Sequence, residues 1–312
     1  MDVLITGVTG FLGGHVARLL DRLPYFRVTG LGTRHPAAVH LPPRVRYTQQ
    51  AVEDLRPEDA VAPETSIVHA AATSDVAYAL RSPRRALQDT LGGTLAVLTA
   101  GVKGRVVLLS SQSVYGGGEG PLSESAPLRP RSLYGALKAA QEHLALAYWH
   151  SRGVPVVILR LSNVYGPFER PGALVRSLLS AALRREPIPV EGDGTQTRSL
   201  LFCEDFARAV HLALTGPEAL VGRAWNVAGP SLSIGNLAAM CGWMAGFEEI
   251  AHGPARAHEE GPVELDASAF RALTGWEPQV PLALGLEKTA AWLWTQHPGQ
   301  PTPTVPEDEP WR

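Results

Sequence analysis

The sequence predicts an α/β fold, a doubly wound parallel sheet accompanied by a smaller, mainly helical lobe. Three observations lead to this prediction. Short apolar runs alternate with segments of helical periodicity through the first half of the chain. Several runs are apolar throughout, as in parallel strands that are covered on both faces. After about residue 165, short helical segments are separated by loops rich in proline and glycine, such as GPFERPG and EPIPVEGDGTQ.

These runs and periodic segments define the expected elements in chain order. We expect strands at 3–6, 27–31, 66–70, 105–110, 154–161 and 224–227. Helices are expected between them, at 11–23, 84–100 and 133–150.

Composition and charge exclude several classes of protein. Of the 312 residues, 45% are apolar and 19% charged, so the chain can build a sizeable core. A formal net charge of −2 disfavours nucleic acid and anionic membranes as partners. Cys203 and Cys241 have no CxxC spacing, so we expect no disulfide framework, no cysteine zinc site and no other metal. The chain starts on a strand-like run without a signal peptide, and no apolar run could span a bilayer, so we expect a cytoplasmic protein.

A glycine-rich turn follows the first predicted strand in LITGVTGFLGG. Gly7, Gly10 and Gly13 lie between that strand and an apolar-periodic helix. Glycines let a backbone turn tightly and approach a pyrophosphate, which then binds at the positive end of the helix. A plain tight turn is the alternative, but the position between strand and helix favours a Rossmann-type dinucleotide site.

This turn assigns roles to the parts of the chain. We expect residues 1–165, with returns to the sheet at 197–228, to form the dinucleotide-binding domain. Residues 166–196 and 229–295 are expected to form a substrate-binding lobe. The proline-rich, acidic tail at 296–312 is expected to be disordered.

The end of the second strand bears on which dinucleotide binds. Gly32 lies 19 residues beyond Gly13, where NAD-binding chains place an acid that holds the adenosine ribose. Glycine there removes the repulsion of a 2′-phosphate, and Thr33 and Arg34 can donate hydrogen bonds to one. We therefore expect NADP. In the alternative, the loop is merely solvated and NAD binds loosely without its acid.

Tyr134 and Lys138 lie four residues apart, on one face of a predicted helix. An ammonium beside a phenol lowers the pKa of the phenol, so Tyr134 is a candidate acid/base for interconverting a hydroxyl and a carbonyl. A surface pair is the alternative. The strand ending in Ser110 and Ser111 favours catalysis, because a hydroxyl there can bind the substrate oxygen at the ligand-binding end of a parallel sheet.

The ordered set of motifs resembles the extended short-chain dehydrogenase/reductase family, in its nucleotide-sugar epimerase/dehydratase branch. The resemblance runs from Met1 to about residue 281. It rests on the motifs GVTGFLG, VHAAATSDV, LLSSQSVYG, YGALK, LRLSNVYGP, GDGTQTR and LTGWEP.

The resemblance implies roles for individual residues. Ser111, Tyr134 and Lys138 match the catalytic set, and Lys138 would also hold the nicotinamide ribose. The residues implied for the cofactor are Gly7, Gly10, Phe11, Leu12, Gly13, Thr33, Arg34, Val52, Ala70, Ala71, Ala72, Tyr134 and Lys138. The substrate residues are Ser113, Asn163, Arg198 and Arg256, of which Asn163 and Arg198 match contacts to a nucleotide-sugar diphosphate.

Departures from the family pattern reduce the number of reactions that the enzyme is expected to catalyse. Dehydratases and decarboxylases of this branch carry a Glu before VYG, and hexose dehydratases also carry the preceding Asp. Ser113 and Gln112 stand there and cannot ionise to move a carbon-bound proton. Thr90 replaces the family's usual Asn, and Ala51 stands where an Asp often reaches the adenine. Both changes remove polar contacts that help to hold a cofactor tightly.

The sequence therefore predicts an enzyme that modifies a nucleoside-diphosphate sugar, with a 4-epimerase as the leading function. The main alternative is an NADPH-dependent 4-keto-sugar nucleotide reductase, which would use the same residues and exchange its cofactor. Dehydratases, decarboxylases and reductases of apolar carbonyl compounds fit less well, as does a non-catalytic redox sensor. The resemblance also implies a homodimer formed through the Tyr134 helix and its neighbour.

Overall fold

The structure is a computed structural model that describes residues 1–39, 41–56, 62–73, 76–118, 120–255 and 263–296. Arg256, implied as a substrate residue, lies outside the described residues. So does the expected tail, except for Gln296, which follows the last helix.

A seven-stranded sheet with only parallel pairings forms the centre of the fold. Its strands are β1 (Asp2–Thr6), β2 (Arg27–Gly32), β3 (Arg46–Gln49), β4 (Ser66–His69), β5 (Val106–Ser111), β7 (Val156–Leu161) and β11 (Arg223–Val227). Their order across the sheet is β11-β7-β5-β4-β1-β2-β3. The strand that follows β1 in the chain, β2, lies on one side of the β1–β4 pair, and the strand that follows β4, β5, lies on the other side, so the strand order reverses between β1 and β4. The crevice between their carboxyl ends is where open α/β sheets bind ligands.

Helices cover both faces of this sheet and build the lobe. They are α1 (Phe11–Asp21), α2 (Val76–Arg81), α3 (Pro83–Leu87), α4 (Gly93–Thr99), α5 (Leu133–Arg152), α6 (Leu174–Leu183), α7 (Cys203–Thr215), α8 (Ile234–Ala245), α9 (Ser268–Thr274) and α10 (Leu282–Thr295). The helix expected at 84–100 is interrupted by a π turn, Gln88–Gly92. The hydroxyl of Ser132 caps the start of α5, and Gly153, with φ of 70°, ends it.

The expected doubly wound sheet is confirmed, and its six predicted strands lie within two residues of the predicted bounds. The sequence did not predict β3, because that strand is largely exposed and carries no apolar run. None of the described helices is long and apolar enough to cross a membrane.

The lobe has its own core and small sheets. Its short strands are β8 (Asn163–Tyr165), β9 (Ile188–Glu191), β10 (Thr197–Phe202), β12 (Ser231–Ser233) and β13 (Ile250–Gly253). A further two-stranded pair joins β6 (Pro121–Leu122) to β14 (Glu264–Leu265). The expectation that the chain returns to the central sheet at Leu200 is wrong, because β10 pairs with β8 and β12 instead. Its apolar side chains Leu200 and Phe202 pack with α6, α8 and α10.

Candidate active site

The glycine turn after β1 is as tight as the sequence predicts. Gly7 has φ of 67°, and a Cβ there would lie 2.8 Å from the backbone nitrogen of Ala71, two residues beyond β4. A Cβ on Gly13 would collide with the Gly7 carbonyl, and one on Gly10 would lie 3.1 Å from it. Side chains would therefore close the crevice, and the backbone N–H groups at the start of α1 are left accessible to an anion.

A cavity of about 470 Å³ opens beside this turn. Its lining contains five of the residues expected to bind the cofactor: Gly7, Thr33, Val52, Ala71 and Ala72. Sequence reasoning did not single out Glu53, Tyr78, Arg81, Arg85 and Asp89, which also line it. Glu53 and Asp89 both pair with Arg85, at 3.2 and 2.6 Å. These charged side chains carry no motif, so only the fold brings them to the cavity.

The last residue of β2, Gly32, lines the cavity and has no carboxylate to offer a ligand. A Cβ on Gly32 would lie 3.1 Å from both Thr9 and the Tyr47 hydroxyl, so the strand packs closely here. The next residues are exposed, and their backbone is held from β3. Tyr47 donates to the Arg34 carbonyl at 2.7 Å, and Gln49 to the Thr33 carbonyl at 3.3 Å. The backbone of Arg34, the residue after the cavity-lining Thr33, is therefore held in place, and its side chain is exposed.

The remaining cofactor candidates lie next to these. Ala70 contacts Gly7 through its backbone. Phe11 packs edge-on against His15, with ring centroids 5.2 Å apart, and Leu12 packs against the main core. These two side chains support the turn.

Ser111 is the last residue of β5, at the carboxyl edge of the sheet. Its hydroxyl accepts a hydrogen bond from the Ser113 nitrogen at 3.2 Å and caps a turn at Gln112–Val114. Gln112 and Ser113 are each 8% exposed. The Gln112 Oε1 atom is buried and has no hydrogen-bond partner among the described residues. Amide and hydroxyl groups thus occupy the positions where dehydratases would carry acids.

Tyr134 lies in the first turn of α5, beside this strand end. The helix comes close because Gly135 has no side chain, since a Cβ there would collide with the Ser113 carbonyl. Tyr134 is half-buried and packs in an apolar cluster with Tyr78 and Leu137. The fold therefore brings the Tyr134 helix against the turn that Ser111 caps.

Lys138 is buried one turn further along α5, with 6% exposure. Its ammonium donates to the Leu109 carbonyl of β5 at 2.8 Å and to Gln141 Oε1 at 3.1 Å. Burial lowers the pKa of Lys138 to about 8, against the opposing effect of the Glu142 carboxylate. The ammonium is thus tied to the same strand that ends in Ser111.

A buried ionic network lies below these residues. The Glu142 carboxylate accepts from Arg160 of β7 at 2.8 Å and from the Ser110 hydroxyl at 2.5 Å. Arg160 also donates to the Tyr115 hydroxyl, which donates to Asn226 at 2.8 Å. Sequence reasoning missed this network, because its members come from α5, β5, β7, β11 and the turn after β5.

Asn163 and Arg198 lie on neighbouring strands of the small sheet in the lobe. Asn163 of β8 is in register with Leu200 of β10, and Arg198 is two residues before Leu200. Alternate residues of a strand share a face, so Asn163 and Arg198 are on the same side of this sheet. Both are partly exposed, and Arg198 donates to the Thr197 carbonyl at 2.8 Å.

The parallel sheet, the glycine turn at its crevice and the Ser–Tyr–Lys set define a short-chain dehydrogenase/reductase. A model of the NAD dependent epimerase/dehydratase family matches residues 3–228, so the chain belongs to this family and is a nicotinamide-dependent enzyme of that type.

Relatives in the family catalyse more than one reaction. A dTDP-glucose 4,6-dehydratase of Streptomyces niveus is 31% identical, over 94% of this chain and 92% of its own. Among solved structures, the UDP-glucose 4-epimerase of Thermotoga maritima, with UDP-glucose, has 26% identity and a TM-score of 0.86, covering 95% of this chain and 99% of that one. The dTDP-glucose 4,6-dehydratase of Streptomyces venezuelae, solved with NAD bound, has 28% identity and a TM-score of 0.85, covering 95% and 98%.

Proposed function

We propose that the protein is a 4-epimerase of a nucleoside-diphosphate sugar that works with NADP. One observation carries the proposal: the site combines Ser111, Tyr134 and Lys138 with a neighbouring turn, Gln112–Val114, that has no ionisable side chain. Oxidation of a hydroxyl and reduction of the resulting carbonyl need only an acid/base, an ammonium and a hydride carrier. Dehydration also needs groups that move a carbon-bound proton.

The chain's own residues handle the proton. Ser111 donates to the oxygen on carbon 4 of the sugar, and Tyr134 removes the hydroxyl proton, with its phenolate favoured by the nearby Lys138 ammonium. A bound dinucleotide would supply reversible acceptance of the hydride from carbon 4. Once the keto-sugar has turned its other face to the site, Tyr134 returns the proton to the carbon-4 oxygen as the carbonyl is reduced. The overall reaction is an isomerisation without net oxidation.

Such a rotation requires that the enzyme bind the diphosphate firmly and make few contacts with the sugar. Asn163 and Arg198 share one face of the lobe's small sheet, so both side chains can contact the same diphosphate. An Arg guanidinium gives charge-assisted, often bidentate bonds to phosphate oxygens. We propose that residues 166–196 and 229–295 act with them as the substrate-binding lobe.

The 4,6-dehydratase reaction named for several relatives is disfavoured here by the side chains at 112 and 113. Glu142, the carboxylate of α5 nearest in sequence to Lys138, cannot substitute for them, because Arg160 and Ser110 already engage it in the interior. Neither Gln112 nor Ser113 can deliver a proton to a leaving hydroxyl.

The glycine cradle at Gly7 and Gly13 fits a dinucleotide, since any Cβ there would fill the space beside the turn. We propose NADP because Gly32 offers no carboxylate to the adenosine ribose, while Thr33 lines the same cavity and the exposed Arg34 follows it directly in the chain. Glu53, a carboxylate that lines this cavity, has its charge offset by Arg85 at 3.2 Å. NAD is the alternative, and it is the dinucleotide bound in the solved dehydratase.

A 4-keto-sugar nucleotide reductase is the second candidate. The open cavity at the adenosine end, with Ala51 and Thr90 replacing polar family residues, suits a cofactor that exchanges after each turnover. Such an enzyme would consume NADPH in proportion to product, whereas an epimerase would not.

We further propose a cytoplasmic homodimer. Leu87 and Leu95, on the segment packed beside α5, are 53% and 43% exposed, and a second copy would cover them. Both cysteines are buried free thiols, which suits a reducing compartment.

Product analysis tests the proposed reaction. The enzyme is incubated with NADP and, in separate reactions, UDP-glucose, UDP-glucuronic acid and dTDP-glucose in D2O, and products are identified by NMR. A carbon-4 epimer without deuterium at carbon 5 supports an epimerase. A 4-keto-6-deoxy sugar overturns it in favour of a dehydratase. In a separate reaction with a 4-keto-sugar nucleotide and NADPH, loss of NADPH in proportion to product, with no epimerisation in the other reactions, overturns it in favour of the reductase. Tyr134→Phe is the matched inactive control.

A further inference from the structure

A continuous chain of buried hydrogen bonds runs from Lys138 to the glycine turn. Lys138 donates to Gln141 Oε1 at 3.1 Å, and Gln141 Nε2 donates to the Thr94 hydroxyl at 2.6 Å. His69 Nε2 lies 3.1 Å from the same hydroxyl, and His69 Nδ1 lies 2.8 Å from the hydroxyl of Thr6. Gln141, Thr94, His69 and Thr6 are all at most 2% exposed.

In each of these hydrogen bonds, the neighbouring hydrogen bond determines which group donates and which accepts. The single hydroxyl proton of Thr94 goes to the Thr90 carbonyl at 2.6 Å, so the Thr94 oxygen must accept from both Gln141 and His69. His69 therefore carries its proton on Nε2, and its Nδ1 accepts from Thr6. Burial lowers the pKa of His69 to about 3, which keeps the ring neutral in this role.

The same reasoning fixes the orientation of the Gln141 amide. Its NH2 group must face Thr94, because an oxygen there would meet an acceptor without a proton. Its carbonyl therefore faces Lys138, and the reversed orientation would place two donors together. Two of the three N–H groups of the ammonium are then bound by Leu109 and Gln141, and the third has no partner among the described residues.

We propose that Gln141 is a positioning residue, whose side-chain carbonyl, oriented by Thr94 and His69, holds the Lys138 ammonium so that its third N–H points to the bound nicotinamide ribose. The inference rests on the proposed function, in which Lys138 contacts the dinucleotide. The other end of this hydrogen-bond chain lies at the glycine turn expected to bind the pyrophosphate of the same dinucleotide. Thr6 directly precedes Gly7, and its hydroxyl accepts a hydrogen bond from the Ala71 nitrogen at 3.1 Å. One buried chain thus aligns both ends of the dinucleotide site.

Of the two groups that accept hydrogen bonds from the Lys138 ammonium, only the Gln141 side chain can be replaced by mutation, and an uncharged replacement leaves the charges around Lys138 unaltered. Leu109 contributes a backbone carbonyl, and Glu142 is neutralised by Arg160. The turn 112–114, α4 and β5 contribute no titratable side chain. Besides Lys138, the titratable groups of α5 itself are Tyr134, Glu142, His143, Tyr148, His150 and Arg152. Those on the described segments that pack against α5 or join its hydrogen-bond chain are Tyr78, Arg81, Arg84, Arg85, Asp89, Tyr115, Arg160 and His69.

Lysine NMR measures the hold on the ammonium directly. The chain has three lysines, Lys103, Lys138 and Lys288, so a protein labelled with 13C at lysine Cε gives a simple spectrum, assigned with Lys138→Arg. We expect Gln141→Leu to lower the midpoint of the Lys138 titration by about one pH unit, because a buried charged donor loses an acceptor. Gln141→Glu should raise it, because the variant keeps an acceptor and adds negative charge. NADPH affinity, followed by nicotinamide fluorescence, should fall several-fold in Gln141→Leu and be retained in Gln141→Glu.

Two further variants separate positioning from general packing. Thr94→Val removes the group that orients the amide and should shift the titration in the same direction as Gln141→Leu, which keeps the test available if Gln141→Leu does not fold. Ala145→Gly loosens the same buried face two turns along α5 and should leave the midpoint unchanged. An unmoved midpoint in Gln141→Leu, or shifts in one direction for both Gln141 variants, overturns the proposal. No sugar nucleotide is used, so failure of the epimerase assay and failure of this inference are separate outcomes.

Discussion

Gly135 lies against the backbone carbonyl of Ser113, so close that any side chain at 135 would collide with it. This contact joins the start of α5 to the turn that follows β5, and so places the helix of Tyr134 beside the strand end of Ser111. The glycine after the tyrosine is thus a structural condition for the proposed catalytic set to assemble.

Replacement of Tyr134 by Phe tests the acid/base directly. The phenol supplies the proton transfer, so turnover should fall by roughly 10²–10⁴-fold, while dinucleotide affinity stays near that of the wild type. Steady-state rates and a fluorescence titration with NADPH measure the two quantities. Tyr148→Phe, on the same helix, should have wild-type turnover. A Tyr134→Phe enzyme as fast as the wild type would remove Tyr134 from the mechanism.

The pH dependence of kcat/KM should follow the charge of Lys138. Its pKa is about 8, so the ammonium that favours the Tyr134 phenolate is lost as the pH rises through 8, and kcat/KM should fall there. Stability should respond in the opposite sense. The unfolded chain holds this proton up to about 10.5, so deprotonation in the folded state favours folding between about 8 and 10.5. A kcat/KM that stays level up to pH 10 would contradict this role of Lys138.

The sequence predicted the parts of the site that are contiguous in the chain. The glycine turn, Ser111 and the Tyr134–Lys138 pair follow from local spacing, and the strands that carry them follow from apolar runs. It could not predict the Gln141–Thr94–His69 chain, whose members are 25 to 72 residues apart and touch only after folding. Nor could it predict that Leu200 packs in the lobe, because an apolar strand looks the same in either sheet.

Arg198 and Asn163 should bind the diphosphate. Calorimetry with UDP and with UDP-glucose tests this, and Arg198→Ala should weaken the binding of both ligands equally, since the lost bonds go to the phosphates. Asn163→Ala should act in the same direction with a smaller effect, because its amide carries no charge. Arg152→Ala, at the exposed end of α5, is the control. Unchanged affinity for UDP in Arg198→Ala would refute the assignment.

Dinucleotide preference should depend on Gly32 and Arg34. Arg34→Ala should weaken NADPH much more than NADH, and Gly32→Asp should reverse the preference by placing a carboxylate at the ribose. A Cβ at 32 would lie 3.1 Å from Thr9 and Tyr47, so Gly32→Ala is needed to separate crowding from charge. Equal affinity of the wild type for NADH and NADPH at moderate salt would show that Thr33 and Arg34 form no phosphate site.

The buried pair of Glu142 and Arg160 should dominate local stability. Arg160→Met leaves a carboxylate that is 1% exposed without its cation, which should cost about 3–5 kcal/mol in the free energy of unfolding. Arg184→Met breaks an exposed pair with Glu186, which solvent screens, and should leave the free energy of unfolding nearly unchanged. Urea unfolding followed by circular dichroism compares the two. Similar losses in both variants would mean that the buried network is not the stabilising element.

The position of the carbon-4 hydrogen during turnover tests the central claim, a reversible oxidation at that carbon by Ser111, Tyr134 and Lys138. The sugar nucleotide that the enzyme turns over, labelled with deuterium at carbon 4, is incubated with enzyme and an excess of unlabelled NADP, and both sugars are examined by NMR and mass spectrometry. We predict that the deuterium remains at carbon 4 in substrate and epimer alike, because it returns to the carbon it left. Deuterium found on another carbon of the sugar, or lost to the NADP in solution, would contradict the account.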